Sequence, residues 1–111
     1  MRTVPEKGDL VYLNFHPQSG REQAGHRPAI ILSPKSFNQV TDLAIVCQIT
    51  KQKKGYPFEV ELPKGLKIRG SILTDHVKSI DWQSRQIQIV EEAPQNVTET
   101  CIKRIHTFMY L

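Results

Sequence analysis

At 111 residues the chain suits one domain, residues 1–111, and leaves no length for a second; its 39% hydrophobic and 23% charged residues can build a core, though a small one. Fifteen Lys and Arg against eleven Asp and Glu give a net charge of +4, a balance that favours an anionic partner such as nucleic acid. The opening MRTVPEKGD lacks the apolar stretch of a signal peptide and no segment reaches membrane-spanning length, so the expectation is a soluble cytoplasmic protein without a membrane partner.

In chain order, LVYLNF (10–15) reads as a strand with Val11, Leu13 and Phe15 on one face. The polar, turn-rich HPQSGREQAGH is a loop leading to an apolar strand over 28–32. SPKSFNQV predicts a short helix with Ser33 as cap and Pro34 at the first helical position. DLAIVCQIT alternates Leu43, Ile45, Cys47 and Ile49 with Ala44, Val46, Gln48 and Thr50, a strand whose second face turns polar towards its end. After the basic loop KQKKGYP, FEVEL alternates again with Phe58, Val60 and Leu62 inward. The basic turn PKGLKIRG precedes two more strands, SILTDHV and RQIQIV. From residue 96 the period changes: Val97, Cys101, Ile102, Ile105, Phe108 and Met109 form one helical stripe, with Asn96 as cap and Glu99 completing a capping box. Cys47 and Cys101 are too far apart for a C-x-x-C motif and read as buried free thiols. Five or six short strands and a terminal helix make the fold class mainly β, a small, strongly bent, SH3-like antiparallel barrel.

The stretch GDLVYLNFHPQSGREQAGHRPAIILSP resembles the opening of the MazF/PemK toxins, the endoribonuclease halves of bacterial toxin–antitoxin pairs. QITKQKKGYPFEVEL and GSILTDHVKSIDW are similar to that family's second and third signatures, in the right order, so the likeness runs from about Gly8 to Trp82. The resemblance implies a homodimer that cuts single-stranded RNA at short sequences with no metal and no cofactor. The products it implies are a 2′,3′-cyclic phosphate and a 5′-hydroxyl, and the implied partner is an antitoxin that lays an acidic peptide across the RNA groove. By motif position the catalytic arginine falls on Arg27 of GHRP and the catalytic threonine on Thr50. Where some relatives carry glutamine after the aspartate of the third motif, this chain has His76 next to Asp75.

The chemistry suits these residue types. Cleavage through the RNA's own 2′-hydroxyl requires a proton to leave that oxygen, charge to build on the phosphoryl oxygens, and the 5′-oxygen to gain a proton. Arg27 suits the second task, because its planar fork grips two phosphate oxygens and stays charged; Thr50 can donate a hydrogen bond to the same phosphate. The proton acceptor stays open between Glu22 and His26, with His76 a third choice. Without the family likeness, Arg27 reads as a strand-edge arginine paired with Glu22, and Thr50 as a β-branched strand residue. For RNA contacts the candidates are Gln23, Lys51, Lys53, Lys54, Tyr56, Asp75 and His76. The basic run continues through Lys64, Lys67 and Arg69, which can line a groove or simply be solvated. Two rival readings remain: a toxin of the same barrel type that blocks a protein such as gyrase, and a non-catalytic RNA-binding module.

Overall fold

The computed structural model describes residues 3–15, 26–53 and 55–110. The elements follow as β1 (Asp9–Asn14), β2 (His26–Ile31), α1 (Lys35–Thr41), β3 (Leu43–Thr50), β4 (Glu59–Glu61), β5 (Ser71–Asp81), β6 (Gln88–Glu92) and α2 (Gln95–Met109). The strands form one six-stranded sheet in the order β4-β5-β3-β2-β1-β6, each neighbouring pair antiparallel. The sheet curls into a half-barrel with β4 and β6 at its edges. The backbone N–H of Ile68, in the β4–β5 connection, donates to Glu91 Oε2 of β6 at 2.9 Å and ties the two ends together.

Because alternate residues of a strand face opposite ways, the sheet buries both its faces. Leu10, Ile30, Cys47, Ile49 and Ile72 pack with Val97 and Cys101 of α2 on one face. Val11, Leu13, Phe15, Ala29, Ile31, Val46 and Trp82 pack on the other. Val11, Leu13 and Phe15 thus share a face as their spacing predicts, and Leu10 is equally buried on the opposite one. Each fully buried aliphatic side chain here contributes about 1.5–3 kcal/mol. Both cysteines are buried free thiols.

Several expectations need correction. Ser33 does not cap α1: Pro34 occupies the N-cap position with an extended ψ of 158°, and its carbonyl accepts from Phe37 and Asn38 N–H. The Ser33 hydroxyl is engaged instead with Asn38 Oδ1 at 2.5 Å and accepts from Ile45 N–H at 2.8 Å. At α2 Pro94, not Asn96, holds the N-cap position, and Glu99 accepts from the Gln95 side chain rather than reaching back to Asn96. The α2 stripe is narrower than predicted. Val97 and Cys101 are buried, Ile105 packs against the core, and Phe108 meets Phe58 edge-on at 5.4 Å. Ile102 and Met109 lie roughly 120–140° around the helix from Val97 and are exposed. The strand β5 continues four residues beyond SILTDHV, because past an irregularity opposite Cys47 and Ile49 it pairs with β3 from Val77 to Asp81. The strand β6 begins three residues later than RQIQIV suggests. Arg85 is drawn into the preceding turn, where its guanidinium donates to the carbonyls of Asn14 and Phe15.

Candidate active site

Two neighbouring strands bring the candidate chemistry together. β2 enters the sheet at His26 and Arg27, and β3 leaves it at Thr50. The β2–β3 register pairs Ile31 with Val46, Ile30 with Cys47 and Ala29 with Gln48, so the β2 start that carries Arg27 and the β3 end that carries Thr50 lie at the same end of the sheet. Both residues line an open groove of about 940 Å³, together with His26, Tyr12, Lys51, Gln52, Lys67 and Arg69 over a floor of Pro28, Ile49 and Ile68. Arg27, Lys51, Lys67 and Arg69 give this lining four fixed cations and, among the described residues, no carboxylate. Such a groove is suited to a phosphodiester backbone.

The local contacts fix the reactive groups. Thr50 Oγ1 accepts from the Gln52 N–H at 3.2 Å, which orients the hydroxyl and leaves its own hydrogen free to donate. The backbone of Thr50 is backed by Gly70, and Ser71 pairs with Thr50 in the β3–β5 ladder. Among the described residues, the one ion pair is Lys53–Glu61 at 2.9 Å, so none engages Arg27. The guanidinium is exposed at the mouth of its strand. His26 is exposed as well, and its ring stacks on Tyr12 with centroids 5.5 Å apart and planes 14° from parallel.

The other sequence candidates separate into groups. Glu22, Gln23 and Lys54 lie outside the described residues. Lys51 lines the groove. Lys53 does not; it is held by Glu61, whose carboxylate raises the Lys53 pKa, beside an adjoining hollow of about 420 Å³ that also borders Lys64 and Arg69. Tyr56 and Asp75 meet each other instead: the phenol donates to Asp75 Oδ1 at 2.7 Å, and this bond pushes the Tyr56 pKa up to about 12. Asp75 and His76 are exposed on β5 and are not part of the groove lining. Phe58 and Trp82 belong to the packing: Phe58 meets Phe108, and Trp82 is buried with Nε1 donating to the Asn38 carbonyl at 3.0 Å. Among the described residues no group of three His, Cys, Asp or Glu side chains is placed to hold a metal ion. No helix among them is long and apolar enough to cross a membrane.

Tyr12 and Gln52 were absent from the sequence candidates, and Lys67 and Arg69 figured only as part of a basic run. The missed signal for Tyr12 is its parity. It shares a strand face with Leu10 and Asn14, and Asn14 is directly opposite His26.

Comparison with known proteins agrees with this geometry. Residues 6–109 match the family described as PemK-like, MazF-like toxin of type II toxin-antitoxin system. The chain is 50% identical over 84 residues to the endoribonuclease toxin MazF of Escherichia coli (strain K12), covering 76% of this chain and 75% of the relative. It is 29% identical over 108 residues to the endoribonuclease PemK of Escherichia coli, covering 94% and 81%. Its fold superimposes on the crystal structure of MazF (Form-I) from Deinococcus radiodurans with a TM-score of 0.89, 44% identity and 99% and 100% coverage of the two chains. A MazE-MazF structure (Form-II) from the same organism gives a TM-score of 0.88 at 40% identity, covering 99% of each chain.

Proposed function

Because the chain belongs to the PemK-like, MazF-like toxin family of type II toxin–antitoxin systems, we propose that the cationic groove is the site at which it cleaves single-stranded RNA. The protein is an endoribonuclease toxin, and its cognate antitoxin neutralises it by covering the same groove with an acidic segment. It acts in the cytoplasm as a homodimer of single toxin domains spanning residues 1–111. The observation that carries the reading is that Arg27 and Thr50, at the ends of two neighbouring strands, line one groove together with three further cations.

In this mechanism the Arg27 guanidinium holds two non-bridging phosphate oxygens and stabilises the charge that grows on them as the 2′-oxygen attacks. The Thr50 hydroxyl, oriented by Gln52 N–H, donates to the same phosphoryl group. Lys51, Lys67 and Arg69 hold the flanking phosphates and keep the chain in line for displacement. The bond from phosphorus to the 5′-oxygen breaks, leaving a 2′,3′-cyclic phosphate and a 5′-hydroxyl. His26 and Glu22 are the candidates for moving the protons, His26 because it opens onto the groove beside Arg27. No metal or cofactor takes part in this scheme.

The test is incubation with a long single-stranded RNA in EDTA. Discrete fragments whose 5′ ends accept phosphate from a kinase without prior phosphatase treatment are expected. Intact RNA with retarded mobility would mean a binding module, and RNA neither cut nor bound would mean a toxin that blocks a protein. Arg27→Ala should lower kcat by roughly 10²–10³ and leave most RNA binding in place, since one phosphate contact is a small part of the electrostatic total. Unreduced cutting by that variant would end the assignment of Arg27.

A further inference from the structure

We propose that Tyr12 and His26 form a two-ring platform on which the nucleobase flanking the scissile phosphate stacks, making Tyr12 a positioning residue for the substrate. The inference rests on the assignment of Arg27 and Thr50 as the phosphate site.

The two rings are diagonal neighbours on one face of the β1–β2 ladder, since Tyr12 pairs with Pro28 and Asn14 with His26. Their planes are 14° from parallel at a centroid separation of 5.5 Å, an offset stack with no room for a base between them. Tyr12 is half-buried and packs against the core, whereas His26 is exposed. Tyr12 therefore covers one face of the imidazole, and both rings line the groove. A lone surface histidine would lose rotamer freedom on binding a base. Stacked on a ring that the core already fixes, His26 has much of that freedom removed beforehand. The base on the platform lies near the cleavage point because Tyr12 and His26 line the same groove as Arg27 and Thr50. Stacking of this kind accepts any base and fixes the conformation of the nucleotide without reading its edge. His26 can still carry a proton, but the platform needs only its flat ring.

The experiment measures kcat and KM on three substrates cut at a mapped site: intact RNA, and RNA whose 5′-side or 3′-side nucleotide at the scissile bond is a ribose lacking its base but retaining its 2′-hydroxyl. Tyr12→Leu fills the core position and deletes the ring. On intact RNA it should raise KM by roughly tenfold or more, with a much smaller effect on kcat. On one of the two base-free substrates that penalty should vanish, because the base and the ring form one interaction. Tyr12→Phe should restore the coupling, and so should His26→Phe, which keeps a ring but cannot titrate. Should Tyr12→Leu fail to fold by thermal denaturation, Tyr12→Met, whose flexible side chain refills the same site without a ring, carries the same cycle. A penalty equal on all three substrates would overturn the platform, and so would one confined to kcat with an altered pH profile. Arg27→Ala run alongside separates the two assignments. If it cuts normally, the phosphate site itself is misplaced; if it is inactive, the behaviour of Tyr12→Leu bears on the platform alone.

Discussion

A side chain on Gly70 would collide with the backbone of Thr50. A Cβ built there overlaps the Thr50 carbonyl oxygen and comes within 2.9 Å of its carbonyl carbon. Gly70 also has a φ of 130°, which L side chains rarely adopt, and it leads directly into β5, whose Ser71 pairs with Thr50. The end of the basic turn is therefore pressed against the strand end that carries the threonine. Gly70→Ala should cost about 1–3 kcal/mol of stability through backbone strain. It should also lower cleavage at temperatures where the variant is still folded, because relief of the overlap displaces Thr50. Thermal unfolding and a cleavage assay on the same samples check this; a folded variant with normal cleavage would show that the placement of Thr50 is not critical.

Thr50→Val isolates the hydroxyl. The branched shape is kept, and the half-buried position tolerates the extra methyl. Two things are lost: the hydrogen bond accepted from Gln52 N–H and the donor aimed at the phosphate. The first is worth about 0.5–1.5 kcal/mol and should appear as a small drop in melting temperature. Loss of the second should reduce kcat by roughly 10²-fold, with Thr50→Ser recovering most of it. Equal kcat for Thr50→Val and wild type would return the residue to a structural role.

Much of this was legible in the sequence, and the reasons differ by element. β1, β3 and β4 announce themselves by alternation, because a half-buried strand puts every second side chain in the core. The far end of β5, KSID, does not: Lys78, Ser79 and Asp81 are exposed, and only pairing with β3 holds the segment extended. Both helix caps were misjudged for one reason. Pro34 and Pro94 take the cap position themselves, and the polar residues expected there have other partners or positions. Ser33 belongs to a buried network with Asn38, whose side-chain amide donates to the carbonyls of Pro5 and Ser33. No local pattern reveals that network. Arg27 and Thr50 were singled out by their motifs, and both line the groove. Lys67 and Arg69 were offered as lining a groove or as simply solvated, a choice the sequence left open because the loop between β4 and β5 comes back to the end of β3 only through the fold. Tyr12 looked like one more alternating strand residue until its neighbour His26 was placed.

The four cations of the groove predict how salt acts. Each lysine or arginine that neutralises a phosphate of single-stranded RNA contributes about 0.7 to the slope of log K against log salt. Lys67→Ala and Arg69→Ala should each weaken binding at low salt and flatten that slope by roughly this amount. Lys53→Ala should change it less, because Lys53 is already neutralised by Glu61. Filter binding of an uncleavable 2′-O-methyl RNA across a salt series measures all three slopes. A Lys53 effect equal to that of Lys67 would place the RNA over the adjoining hollow instead.

The two thiols should be silent in the folded protein. Burial pushes both Cys47 and Cys101 up to about 12, far above the usual thiol value near 8.5, and the thiolate is the reactive form. At pH 8 a disulfide reagent should find no fast-reacting group in the native protein and both cysteines after denaturation. The raised values have a sign: the contribution to stability is complete below the unfolded thiol pKa and disappears as pH climbs through about 12. Rapid native labelling of either residue would contradict its buried position.

The Tyr56–Asp75 bond makes the last prediction, one about pH. The phenol donates to the carboxylate at 2.7 Å, and ionising it would destroy the bond and set two negative charges side by side. Its pKa is therefore pushed up to about 12. A folded value above the unfolded one, near 10, means that this bond supports the fold fully below about pH 10 and is lost as pH rises through about 12. Between pH 6 and 9 Tyr56 does not titrate, so any change in cleavage rate over that range belongs to other groups. Absorbance titration near 295 nm should show a tyrosine component ionising near pH 12, and Asp75→Asn should bring that component down. The same substitution removes the anchor that joins the β3–β4 loop to β5, so hydrogen exchange at Gly55 and Tyr56 should quicken. If Asp75→Asn leaves both the late component and the exchange rates unchanged, the bond does not hold the loop in solution.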